Sequence, residues 1–219
     1  FIISTDGYVI TNYHVIEGGN KVSVVTYDDQ ERPATVIGYD KTNDVALLKI
    51  EGTNFHCVTI GSSDALHVGD QVMAIGNPLG EEFARTLTVG VVSALDREVT
   101  DTIYDRYGRR TSITNTMIQV DAAINSGNSG GGMFNVLGQL QGIPSRKYSS
   151  NGLFTTASID NIGMCIPINV AKPLIEQVLR DYNGSATPAP AEGNEPTQSA
   201  ANNPLLGKPR LGVTVTSIT

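Results

Sequence analysis

Up to Ile168 the apolar residues of this chain come in short runs, each broken within a few positions by Gly, Asp, Asn or Pro. That pattern reads as short strands joined by tight turns. Phe1-Ile2-Ile3 and Tyr8-Val9-Ile10 flank Thr5-Asp6-Gly7, and Asp-Gly between apolar runs is a strong hairpin signal. Lys21 to Tyr27 alternates, and Ala34 to Gly38 and Val45 to Ile50 follow at short spacing. A second group begins near Val68, with Gln71 to Ile75, Leu87 to Leu95, Thr116 to Val120, Met133-Phe134, Gln139 to Ile143 and Ile162 to Ile168. Such spacing predicts an all-β chain of two units, with the seam near Gly61 to Gly69.

One helix is expected near the end of the second group. Between Val170 and Tyr182, the residues Leu174, Ile175, Val178 and Leu179 form an apolar stripe at helical spacing, and Asn183-Gly184 stops it. The stripe is expected to pack on the second β-unit. From Asn183 to Pro209 the chain is rich in Pro, Ala, Ser, Asn and Gly and reads as a flexible linker. Residues 210–219, beginning Arg210-Leu211-Gly212-Val213, then start a new strand.

The chain has 219 residues, 40% of them hydrophobic, 17% charged and 23 of them Gly, which suits a globular, turn-rich protein with a sizeable core. Its net charge of -7, with no dense basic cluster, argues against nucleic acid as a partner. Two cysteines, Cys57 and Cys165, make no disulfide framework. Neither zinc-spaced Cys/His pairs nor a nucleotide-binding Gly loop is present, so neither a metal nor an organic cofactor is expected. No stretch is long and apolar enough to span a membrane. The chain begins at Phe1, in mid-strand and without an initiator Met, and is expected to be a fragment.

Three segments carry chemistry. Thr11-Asn12-Tyr13-His14-Val15-Ile16 puts a histidine after a strand. Thr42-Asn43-Asp44-Val45-Ala46-Leu47-Leu48 puts a carboxylate before an apolar strand, and Gly127-Asn128-Ser129-Gly130-Gly131 puts a serine in a glycine-rich turn. A serine hydroxyl is a weak nucleophile. It needs a base for its proton, and the base needs an acceptor that fixes its tautomer. His14, Asp44 and Ser129 supply those roles. The glycines allow a sharp turn whose N–H groups can point at a developing oxyanion, with Gly127 and Ser129 as the natural pair and Asn128 between them. Each piece alone is ordinary; the order His, Asp, Ser across two β-units is the signal. His56 and His67 lack such surroundings and are read as non-catalytic.

Together these segments resemble the triad motifs of HtrA/DegP-like serine proteases. So do Ala74-Ile75-Gly76-Asn77-Pro78-Leu79-Gly80, Thr88-Val89-Gly90-Val91-Val92-Ser93 and Asp121-Ala122-Ala123-Ile124-Asn125. The similarity covers residues 1 to about 182. It implies two six-stranded β-barrels of the chymotrypsin/trypsin type (about 1–65 and 66–170) with a C-terminal helix (171–182), then a linker (183–209) and the first strand of a PDZ domain (210–219). His14 and Asp44 would come from the first barrel and Ser129 from the second, and an extended peptide would lie between them.

The resemblance also implies details. The residue six before the serine, Ala123, would floor the pocket for the side chain preceding the cut, and an apolar floor suits small or medium aliphatic residues. Asp121 is read as structural. The segment Ser145-Arg146-Lys147 would bind substrate. Asn128, uncharged, stands where zymogen-activated relatives carry an Asp, which makes activation by N-terminal cleavage unsuitable. Arg97 to Ser112 and Arg146 to Asn161 are candidate regulatory loops. Ser126 and Gly132 depart from the family pattern and are expected to loosen the serine turn. Pro144, with no N–H, falls in the strand expected to pair with substrate. The family works on unfolded or misfolded polypeptides outside the cytoplasm, often as trimers, and a membrane anchor upstream would fit it. The competing reading is a catalytically weak, chaperone-like peptide-binding module on a protease scaffold.

Overall fold

A computed structural model describes residues 1–77, 85–104, 110–125, 127–145, 161–181 and 214–218. The expectations on Ser126, on Arg146 and Lys147, on the Arg146 to Asn161 loop and on the 183–209 linker lie outside these residues.

Tyr8–Thr11 (β1) runs into a one-turn helix, Tyr13–Ile16 (α1). Lys21–Val25 (β2), Glu31–Asp40 (β3) and Val45–Ile50 (β4) complete an antiparallel ladder in the order β1-β4-β3-β2. The second ladder contains Thr59–Ile60 (β5), Gln71–Gly76 (β6), Thr86–Tyr104 (β7), Arg110–Val120 (β8), Gly132–Asn135 (β9), Gln139–Pro144 (β10) and Gly163–Pro167 (β11). Its order is β11-β8-β7-β6-β9-β10-β5. Because β10 also pairs with β11, Gly142 facing Pro167 and Pro144 facing Cys165, the ladder closes on itself, with β5 parallel to β10 outside the ring. The fold is therefore all-β and trypsin-like. The chain crosses between ladders ahead of Thr59, slightly before the expected Gly61–Gly69 seam. After the helix Ile168–Asp181 (α2), Thr214–Ile218 (β12) adds to the outer edge of β2, Thr214 opposite Val25 and Ile218 opposite Lys21.

The continuous apolar runs at β1 and β4 follow from burial on both faces. Tyr8, Ile10, Val45 and Leu47 point into a core shared with Ile75, Phe134, Leu140, Ile143 and Ile166 of the second ladder. Their alternate neighbours Val9, Ala46, Leu48 and Ile50 fill a separate core with Val24 and Ile16. Each buried Val, Leu or Ile among them contributes about 1.5–3 kcal/mol, so β1 and β4 are the strands that weld the two units.

Helix α2 seals the shared core with Ile168, Ala171, Ile175 and Val178, spaced along one face. The expectation that it packs on the second unit is only half of the arrangement, because α2 also lies on β3 of the first. Gly38 makes this possible: a Cβ there would stand 2.4 Å from Val178 Cγ2. The β3–β4 register shifts between Val36 and Gly38 at the same place. Gly132 likewise makes room. A Cβ on it would meet the Phe134 ring at 2.7 Å and the Phe1 ring at 2.8 Å, and those rings pack edge-to-face with centroids 5.0 Å apart. The expected loosening at Gly132 is thus corrected: the residue is a paired strand position opposite Ile75, enclosed by aromatic rings.

Gly38→Ala drives a methyl group into Val178 and is expected to destabilise the fold by about 1–3 kcal/mol. In a double-mutant cycle followed by thermal unfolding, the cost should shrink in a Val178→Ala background. Equal costs in both backgrounds would mean that α2 does not rest on Gly38.

Candidate active site

Asp44 ends the β3–β4 turn. Asp40 shapes that turn, its carboxylate accepting the Thr42 and Asn43 N–H groups at 2.9 and 3.0 Å and the Asn43 amide at 2.6 Å. Asp44 itself adopts φ +57°, a left-handed conformation that Asp tolerates better than most residues. Its side chain is fully buried, and a buried carboxylate requires donors. Three are present. Oδ1 accepts the His14 backbone N–H at 2.8 Å; Oδ2 contacts His14 Nδ1 at 2.7 Å and accepts the Ser145 hydroxyl at 3.0 Å.

This geometry fixes the histidine. A carboxylate can only accept, so Nδ1 carries a proton, and in the neutral ring the lone pair falls to Nε2. The imidazole sits in α1 with 29% of its side-chain surface open. Tyr13 N–H and Asn12 Nδ2 both donate to the Asp44 carbonyl, at 3.2 and 2.9 Å, which holds α1 to the carboxylate's own backbone.

Ser129 lies in a compact turn on the second unit. Asn128 N–H donates to Asn125 O and Gly131 N–H to Asn128 O, both at 3.0 Å, with Gly127 and Gly130 at φ +97° and +75°. Gly76 brings β6 against the buried Asn128: a Cβ there would stand 2.6 Å from Asn128 Oδ1. Asn77 N–H binds the Gly127 carbonyl at 3.1 Å. Gly130 approaches the first unit so closely that a Cβ would stand 2.2 Å from Thr11 Oγ1. The Ser129 turn is thereby pressed against the residues that lead into His14.

The other expected residues divide. The Asn128 N–H, expected among the oxyanion donors, is committed to the Asn125 carbonyl at 3.0 Å. Ala123 is exposed, and its carbonyl accepts Asn128 Nδ2 and Thr88 Oγ1, both at 3.1 Å. Asp121 is a strut, its Oδ1 accepting Val91 N–H at 2.6 Å. Ser145 is fully buried with its hydroxyl on Asp44, so its side chain serves the carboxylate rather than a substrate; its N–H goes to Met164 O at 2.9 Å. Pro144 is buried opposite Cys165, and its carbonyl accepts Gly130 N–H at 3.2 Å. His56 lies against Tyr27, and His67 is exposed beside Asp70; neither joins the site. Burial pushes the Cys165 thiol well above its usual range, so that sulfur is a core atom and not a nucleophile.

Sequence reasoning singled out neither Asn12 nor Asn115, whose amide donates to Thr42 O at 3.0 Å across the two ladders. Asn12 stands in the histidine segment itself; nothing in the sequence signals that Asn115 reaches Thr42.

A trypsin-like fold with a buried carboxylate orienting a histidine beside a serine turn defines a class of peptidase. The family model for the trypsin-like peptidase domain matches residues 1–143, and the chain belongs to that family. Its relatives are HtrA/DegP-type serine proteases. It is 39% identical over 179 residues to the serine protease Do-like HtrB of Bacillus subtilis (strain 168), a match that covers 81% of this chain and 37% of that protein. It is 41% identical over 181 residues to a probable periplasmic serine endoprotease DegP-like of Chlamydia pneumoniae, covering 83% and 34%. Among solved structures, the HtrA-type protease AlgW with decapeptide aligns with TM-score 0.67 and 34% identity, over 82% of this chain and 50% of that one. The chain thus spans little more than a third of the length of these curated relatives.

Ser145→Ala removes one of three donors to a buried charge while both His14 bonds remain. Hydrogen bonds to charged groups contribute about 1.5–3 kcal/mol, and urea unfolding should show a loss of that order. A change near zero would mean that the Ser145 hydroxyl is not a partner of Asp44.

Proposed function

We propose that this chain is the protease domain of an HtrA/DegP-type endopeptidase, with Ser129 as nucleophile, His14 as general base and Asp44 as the residue that orients His14. The observation that carries the reading is the double hold of Asp44 on His14, through the backbone N–H at 2.8 Å and the ring Nδ1 at 2.7 Å. That hold leaves Nε2 as an acceptor for the proton of Ser129 Oγ. As the proton moves, Oγ attacks the peptide carbonyl, and the tetrahedral oxyanion is met by the Gly127 and Ser129 N–H groups. His14 then protonates the leaving amine, and the acyl-enzyme is hydrolysed by water that His14 deprotonates in turn. The enclosed Gly132 removes one of the arguments for a degraded site.

Finer points of the reading rest on resemblance. Substrates are unfolded or misfolded polypeptides, cut after small or medium aliphatic residues because Ala123 offers no charge to Lys or Arg. Arg146 and Lys147 join the substrate-binding segment. The chain divides into protease domain (1–182), linker (183–209) and the opening strand of a PDZ domain (210–219). The protein assembles as a trimer outside the cytoplasm, either membrane-anchored or secreted, in keeping with relatives named as periplasmic.

Casein incubated with the chain and with its Ser129→Ala variant, fragments being read by mass spectrometry, tests the assignment. Cleavage should follow Val, Ala or Ile and fall at least about 10⁴-fold in the variant. Equal cutting by both would sink the role of Ser129, and cuts mainly after Lys or Arg would sink the pocket.

A further inference from the structure

We infer that Asn12 is a positioning residue that sets the Ser129 turn against the His14–Asp44 pair. The inference rests on the protease reading above and adds to it a residue outside the triad and the oxyanion donors.

Asn12 sits between β1 and α1, two residues before His14, and is fully buried. Its carboxamide faces two backbones that are remote in sequence. Nδ2 donates to the Asp44 carbonyl at 2.9 Å, and Oδ1 accepts the Gly130 N–H at 2.5 Å. The Gly130 N–H belongs to the peptide that leaves Ser129. One planar amide therefore ties the peptide of the nucleophile to the backbone of the carboxylate that orients the base. Its two ends are not interchangeable: a flipped amide would set oxygen against the Asp44 carbonyl and N–H against the Gly130 N–H. A carboxylate could serve Gly130 but not Asp44, and a shorter hydroxyl could not span both. Only an amide of this length fits.

The same contacts show why the role is positional rather than structural. Both backbone groups have a second partner. The Asp44 carbonyl also accepts Tyr13 N–H at 3.2 Å, and the Gly130 N–H also reaches the Pro144 carbonyl at 3.2 Å. Removing the amide orphans neither group, and the two ladders stay joined by their shared core and by the Asn115–Thr42 and Ser145–Asp44 bonds. What is lost is the link that fixes the serine relative to the base. Misplacement of reacting groups by about 1 Å can cost about 10²-fold in rate.

The test is steady-state cleavage of a fluorogenic peptide with Val before the scissile bond. It compares the full chain with Asn12→Ala and Ser129→Ala at equal concentrations of folded protein, beside thermal unfolding. Asn12→Ala should lower kcat about 10- to 100-fold, with KM within about threefold and a melting temperature close to that of the parent. Unchanged kcat, with Ser129→Ala inactive, would overturn the role of Asn12 and leave the triad standing. Equal activity of Ser129→Ala and the parent would overturn the triad instead. An Asn12→Ala chain that does not fold would make Asn12 a structural residue and also end the proposal. Independently of any variant, a through-hydrogen-bond NMR coupling should connect the Gly130 amide to the Asn12 side-chain carbonyl, and its absence would refute the link.

Discussion

A single negative charge, the Asp44 carboxylate, is buried at the junction of two β-units, and much of the local architecture answers to it. Among the described residues no Lys or Arg pairs with it; the compensation comes from the imidazole and two further donors. An uncompensated carboxylate at such a place would cost several kcal/mol. The first ladder supplies His14 and the second supplies Ser145, so satisfying this charge requires both units to be folded and docked. The histidine is consequently held by the same bonds that satisfy the buried charge.

The docking has its own steric condition. Glycine stands at the tightest contacts around this junction. Gly130 lies against Thr11 of the first unit, Gly76 against Asn128 within the second, and Gly38 receives Val178 of α2. A methyl group at any of them would push apart elements that carry the site. Gly130 adds a conformational reason, since its φ of +75° is one that side chains rarely adopt. Packing, backbone conformation and electrostatics converge on the same few ångströms, where the serine turn meets the histidine segment.

Much of this was legible in the chain itself. The short apolar runs, the Asp-Gly hairpin and the late helical stripe correspond to β1 to β4, β6 to β11 and α2. Local pattern governs such elements, because a strand with buried faces must carry apolar side chains at fixed spacing. The His14 and Asp44 segments were readable because an imidazole after one strand and a carboxylate before another are residue types that can pair, and the structure brings them together. Reading was poorer wherever partners are distant in sequence. Ser145 looked like a substrate contact and proves to be a donor to Asp44, 101 residues away. Asn128 looked like an oxyanion donor, but its N–H closes a local turn. Gly132 looked like a loose joint and is enclosed by Phe1 and Phe134.

The sequence by itself determined the element types, the two-unit all-β class and the residue kinds able to perform acyl transfer, since each depends on short-range periodicity or on intrinsic chemistry. Only the tertiary structure decided which groups meet: that Asp44 is held by three donors, that α2 spans both units, and that Asn12 joins Asp44 to Gly130 across 32 and 118 residues of chain. Those meetings are fixed by how the two ladders dock, and docking depends on the summed burial of many side chains, which no local stretch of sequence encodes.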